Sequence, residues 1–116
     1  MEKVKINSAN QFVGNSMVEV KVASTNDLKP GQGKTVEANG KEIALFNVGG
    51  KFFAISNTCA HRQGPLGDGE LEDKTVTCPL HGWQYDVTNG QCTMPGNAHV
   101  ESFRVVVKGN DVFVDA

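Results

Sequence analysis

Short apolar-polar alternations cut by glycine turns recur along most of this chain, and they limit its fold more than any other feature. Val18, Val20 and Val22 alternate with Glu19 and Lys21, which sets valines on one side of a pleated strand and charges on the other. Asp27-Leu28-Lys29-Pro30-Gly31 interrupts this run with turn residues. Lys34-Thr35-Val36-Glu37 and the run from Glu42 to Val48 flank Asn39-Gly40, a pair that tolerates positive φ at both central positions of a type I′ hairpin. Gly49-Gly50 leads into Phe52-Phe53-Ala54-Ile55, and a final hairpin is expected from Phe103 to Lys108, a turn at Gly109-Asn110, and Asp111 to Val114. Helical periodicity is nearly absent. The expectation is an all-β domain whose last two strands close the sheet.

The 116 residues match one domain and leave no room for a second catalytic module. With 39% hydrophobic residues and thirteen glycines, the apolar-plus-glycine share is about half, the ordinary globular range. Eleven basic and thirteen acidic residues give a net charge of −2 without a basic cluster, which argues against nucleic acid or an anionic membrane as the main partner. No apolar run approaches the ~20 residues of a membrane span. The segment Met1-Glu2-Lys3-Val4-Lys5-Ile6-Asn7-Ser8 lacks the apolar core of a secretory signal, so a cytoplasmic location is expected. Residues 1–16 show only a weak alternation at Val4 and Ile6 and read as an N-terminal extension or an extra strand, with residues 17–116 as the domain proper.

Between Ser56 and His99 the pattern changes to glycine, proline and polar residues, with short apolar pieces at Thr75-Val76-Thr77 and from Gln84 to Val87. All three cysteines and all three histidines fall here, in the kind of loop-rich region that carries sites on a β scaffold. Two clusters stand out, Cys59-Ala60-His61 and Cys78-Pro79-Leu80-His81, with sixteen residues between His61 and Cys78. Each offers one sulfur and one nitrogen, and two such loops brought together supply a tetrahedral set of soft and borderline ligands. Zinc accepts two cysteines and two histidines, but in zinc fingers like ligands are grouped in pairs and the histidines lie on a helix. Here each pair is mixed and no helical pattern follows. Mixed pairs suit a [2Fe–2S] centre in which two histidines replace two cysteines on one of the irons. A zinc site remains the alternative.

The pattern C-x-H, sixteen residues, C-x-x-H, with Gly64-Pro65-Leu66 after the first pair and Gly82-Trp83-Gln84-Tyr85-Asp86 after the second, resembles the Rieske signature. The likeness runs from about Met17 to Ala116 and is nearest to the small Rieske-type ferredoxins that carry electrons for bacterial oxygenases. It implies an antiparallel β-sandwich or barrel with an inserted, loop-rich cluster-binding subdomain over about 57–98. It also implies that Cys59 and Cys78 hold a buried iron, that His61 and His81 hold an outer one, and that Met94-Pro95-Gly96 forms a third loop over the cluster. Glycines 64, 67, 69 and 82 are expected to let backbone N–H groups approach the sulfurs.

Where respiratory and photosynthetic Rieske proteins place a bridged pair of extra cysteines, this chain has Gly64 and Leu80, so no loop disulfide is expected. Trp83 occupies the position of a serine that donates to a bridging sulfide in those proteins, whereas Tyr85 matches a tyrosine that donates to a cysteine sulfur. Donors to sulfur stabilise the more negative, reduced cluster, so loss of the serine implies a midpoint in the lower part of the Rieske span of about −150 to +300 mV. A clearly positive midpoint by protein-film voltammetry would overturn this expectation.

Cys92, with no histidine at ligand spacing, reads as a structural or spare thiol, and His99 as a surface residue. Trp83 is expected to pack over the cluster loop with one exposed edge. Asp68, Glu70, Glu72 and Asp73 lie between the ligand loops and read as a solvated face, with a docking edge for a basic partner as the alternative. The function implied by the resemblance is that of a one-electron carrier rather than an enzyme. It would be monomeric and would pass electrons from a flavin-dependent reductase to a terminal oxygenase of the aromatic ring-hydroxylating type. The alternatives are a small Rieske subunit of a nitrite-reductase-like complex and a zinc-stabilised binding module.

Overall fold

A computed structural model describes residues 18–59, 64–80, 82–93 and 98–116. Ten strands run through these residues, and every strand pairing is antiparallel. Strand β1 (Glu19–Ser24) carries the first alternation and ends in a single 3-10 turn at Thr25–Asp27. Strands β2 (Gly33–Ala38), β3 (Lys41–Val48) and β4 (Lys51–Ser56) form a meander. The expected type I′ turn joins β2 to β3, with φ of 53° at Asn39 and 78° at Gly40.

Strand β3 is buried without a break from Ile43 to Asn47, which half-buried alternation does not allow. The reason is that β3 lies inside the sheet β2-β3-β4-β8 and has a core on each face. Ile43 and Leu45 belong to a first core with Ala23, Leu28, Phe103, Val112 and Val114. Ala44 and Phe46 belong to a second, with Leu66, Val76, Tyr85, Val87 and all three cysteines. Ala54 and Ile55 of β4 divide in the same way.

Beyond β4 the expected loops contain a sheet of their own. Strands β5 (Glu70–Glu72), β6 (Thr75–Thr77) and β7 (Gln84–Asp86) pair in order. Glu70-Leu71-Glu72, in the stretch read from sequence as loop-rich, is therefore a short strand whose exposed carboxylates flank the half-buried Leu71. A three-residue strand has too few alternating positions to stand out in sequence.

The C-terminal run also departs from expectation. Phe103 to Lys108 is not one strand: β8 (Ser102–Phe103) pairs with β4, and β9 (Val105–Lys108) pairs with β10 (Asp111–Asp115). Arg104 interrupts the two, and the chain passes there from one sheet to the other, a common device at the corners of packed sheets. Strand β10 lies between β9 and β1, so this second sheet has the order β9-β10-β1 and covers the first core. The result is a β-sandwich with the β5-β6-β7 subdomain packed over the second core.

Candidate metal centre

The first ligand loop leaves β4 and returns on itself. The Leu66 amide donates to the Asn57 carbonyl at 2.7 Å, Thr58 bridges Pro65, and the Cys59 amide donates to the Gly64 carbonyl at 3.0 Å. This neck places Cys59 at its end, only 1% exposed. The second loop joins β6 to β7. There the Cys78 amide donates to the Trp83 carbonyl at 2.7 Å, and the Gly82 amide donates back to the Cys78 carbonyl at 3.1 Å. Gly82 has φ of 77°, a conformation that glycine adopts without strain. Cys78 is 2% exposed.

The two necks meet. A Cβ on Gly64 would lie 2.7 Å from Cys78 Sγ, 3.0 Å from Leu80 Cγ and 3.1 Å from Leu80 Cδ1. The first loop thus passes against the second loop's sulfur at a distance that only glycine permits. Both sulfurs sit in one buried apolar cluster. Tyr85, fully buried, is held by Val76 on one side and a bridge to Cys92 on the other. Its Oη lies 3.3 Å from Cys59 Sγ. Once Cys59 is a metal-bound thiolate it has no proton to give, and the hydroxyl must donate.

The amides of the other three glycines have partners within the protein. The Gly67 amide donates to Asn57 Oδ1, that of Gly69 to the Leu66 carbonyl, and that of Gly82 to the Cys78 carbonyl. The Gly69 and Gly82 amides close short turns and the Gly67 amide ties the loop to Asn57, and of the four glycines it is Gly64 whose missing side chain makes room at a sulfur. Leu80 is 55% exposed, while Trp83 is half-buried against the cysteine-bearing core. Cys92 is buried in that core, and His99 is exposed, bridged through its backbone to Gln91.

His61, His81 and Pro95 lie outside the described residues. The described residues nevertheless fit an iron-sulfur cluster: two thiols from two touching loops, shielded from water on the inner side, with a hydroxyl donor on one of them. Asn57 and Thr35, whose side chains bond each other beside the first loop at 3.1 Å, are features that the sequence pattern did not single out. The one signal was an asparagine where a strand ends two residues before a candidate ligand cysteine.

This combination of a two-layer antiparallel scaffold and two cysteine-bearing loops defines a small iron-sulfur domain. The chain belongs to the Rieske [2Fe–2S] domain family, which it matches over residues 18–104, and a Rieske-type [2Fe–2S] cluster is the cofactor of that family. Among its relatives is the ferredoxin component of biphenyl 2,3-dioxygenase from Rhodococcus jostii (strain RHA1), 38% identical over 100 residues that cover 85% of this chain and 94% of the relative. Among solved structures it resembles the ferredoxin of carbazole 1,9a-dioxygenase from Nocardioides aromaticivorans IC177, with a TM-score of 0.79 and 33% identity over 84% of this chain and 96% of the other. A second structure, with a TM-score of 0.79 and 31% identity, covers 84% of this chain and 93% of its own and is described as a complex of reduced oxygenase and oxidized ferredoxin in carbazole 1,9a-dioxygenase. No described helix is long and apolar enough to cross a membrane.

Proposed function

We propose that this chain is a one-electron carrier that takes an electron from a flavin-dependent reductase and delivers it to the terminal oxygenase of an aromatic ring-hydroxylating system, without itself acting on an organic substrate. The observation that carries this reading is that the two buried thiols, from two touching loops, lie in a chain similar over nearly its whole domain to a dioxygenase ferredoxin component. Cys59 and Cys78 are assigned to the inner iron, and His61 and His81 to the outer one. Residues 17–116 are assigned to the Rieske domain, and residues 1–16 to an extension or an extra strand. When bound, the [2Fe–2S] cluster stores and releases one electron.

The chain's own residues prepare the site for this. The apolar second core keeps water from the sulfurs on the inner side, which strengthens any hydrogen bond made to them there. The Tyr85 hydroxyl, 3.3 Å from Cys59 Sγ, favours the state with more negative charge on sulfur. The backbone pairs of both necks fix the cysteines, so little rearrangement accompanies the gain or loss of charge.

The direct test is anaerobic purification followed by EPR of the dithionite-reduced protein. The expected result is a coloured protein with a rhombic signal, which re-oxidises when mixed with a ring-hydroxylating oxygenase. A colourless, EPR-silent protein containing zinc would overturn the reading. Purification only as a tight complex with a larger reductase subunit would favour the nitrite-reductase-like alternative.

A further inference from the structure

We infer that Asn57 is a positioning residue for the cluster, a latch that holds the first ligand loop against strand β2. The inference rests on the assignment of Cys59 as a ligand. Asn57 is one of two buried polar residues among those described, at 4% exposure. Its Oδ1 accepts from the Gly67 amide at 2.7 Å and from Thr35 Oγ1 at 3.1 Å. Its backbone amide donates to the Glu42 carbonyl at 3.1 Å, and its carbonyl accepts from Leu66 at 2.7 Å.

One residue therefore ties together β2, β3 and the far end of the loop, and Cys59 follows two positions later. The fit around it is tight: a Cβ on Gly67 would lie 2.5 Å from Thr35 Oγ1 and 2.9 Å from Asn57 Oδ1. Glycine at 67 thus lets the loop's return arm come close enough to reach the carboxamide. A loop that opens at Gly67 frees the partner of Leu66 as well, and the neck down to the Cys59–Gly64 bond loses its anchor. Tyr85, by contrast, bonds the sulfur itself. Asn57 acts one step removed, by fixing where that sulfur stands.

The test compares wild type with N57L, N57D and T35V as anaerobically purified holoproteins. Leucine keeps the volume but offers no acceptor, so the buried Gly67 N–H is left without one, and the exposed Thr35 loses its bond to the latch. Aspartate keeps oxygen acceptors for both. With EDTA as the probe, the bleaching of visible absorbance in N57L is expected to be about tenfold faster than in wild type, as for the loss of one buried hydrogen bond that leaves its donor unsatisfied. The reduced EPR signal should broaden, T35V should change in the same direction but less, and N57D should retain its cluster like wild type.

Amide exchange at Cys59, read by NMR on the zinc-substituted or apo protein, should accelerate in N57L and T35V but not in N57D. If N57L does not fold, T35V and N57D carry the comparison. Wild-type bleaching, EPR and Cys59 exchange in T35V, or in an N57L that merely melts lower, would overturn the inference. Absence of a rhombic signal in wild type would instead sink the carrier reading, and Cys59 exchange would still decide the latch.

Discussion

Tyr85 is pinned by strand pairing on both sides of its backbone, so the 3.3 Å approach of its hydroxyl to Cys59 Sγ is set by the fold rather than by side-chain choice. Tyr85→Phe keeps the ring and its packing and removes one hydrogen bond to sulfur. That bond is worth about 1 kcal/mol, or roughly 40 mV for a one-electron couple. Because donation to sulfur favours the reduced state, the midpoint should fall by that order, with nearly unchanged thermal stability; voltammetry giving equal midpoints would contradict it. Gly64 makes the opposite kind of demand. Gly64→Ala puts a methyl 2.7 Å from Cys78 Sγ, against backbone that is tied to Cys59. An overpacked site of this kind costs about 1–3 kcal/mol, so less iron per chain is expected by colorimetric assay, together with a lower urea midpoint.

Strand β3 is the element on which both halves of the molecule are built, since its odd residues enter one core and its even residues the other. The hairpin that leads into it tests how far the halves are separable. Gly40 has φ of 78° and nothing within 4 Å of its missing Cβ, so Gly40→Ala changes only the backbone preference. The expected cost is about 1–2 kcal/mol in urea unfolding. Ala38 and Ile43, on either side, pack in the core without cysteines, so the visible spectrum should stay as in wild type. Much of β1 to β4 was legible in the sequence because alternation and Asn-Gly turns are local signals. The break at Arg104 was not, because Phe103 and Val105 both read as inward residues of one strand, and only their partners, Ala54 and Val114, tell them apart.

At the scale of the whole molecule the two cores are unequal. The first is enclosed between two sheets, whereas the second is covered by three strands of three residues each and holds both cysteines of the site. Surface ion pairs such as Lys21–Asp111, with both side chains about half exposed, add at most ~1 kcal/mol. Metal binding therefore becomes folding free energy chiefly for the second half. Removing iron with a chelator is expected to reduce amide protection at Val76, Tyr85 and Val87 while leaving Ile43, Leu45, Val112 and Val114 protected. Uniform loss across both sets would show that the cores unfold as one.

By itself the sequence determined the strand-rich class, the hairpin turns and the two Cys/His pairs, because each depends on side-chain chemistry or on spacing within a few residues. Tertiary structure decided what surrounds them. Tyr85 meets Cys59 across 26 residues, Thr35 meets Asn57 across 22, and Gly64 lies against Cys78 from another loop. It also engaged the Gly67 amide with Asn57 and the amides of Gly69 and Gly82 in short turns. Such contacts depend on where separate strands converge, and no local pattern encodes that convergence. The candidate ligand types were readable from the chain, and the environment around the two cysteines became visible only once the loops were folded together.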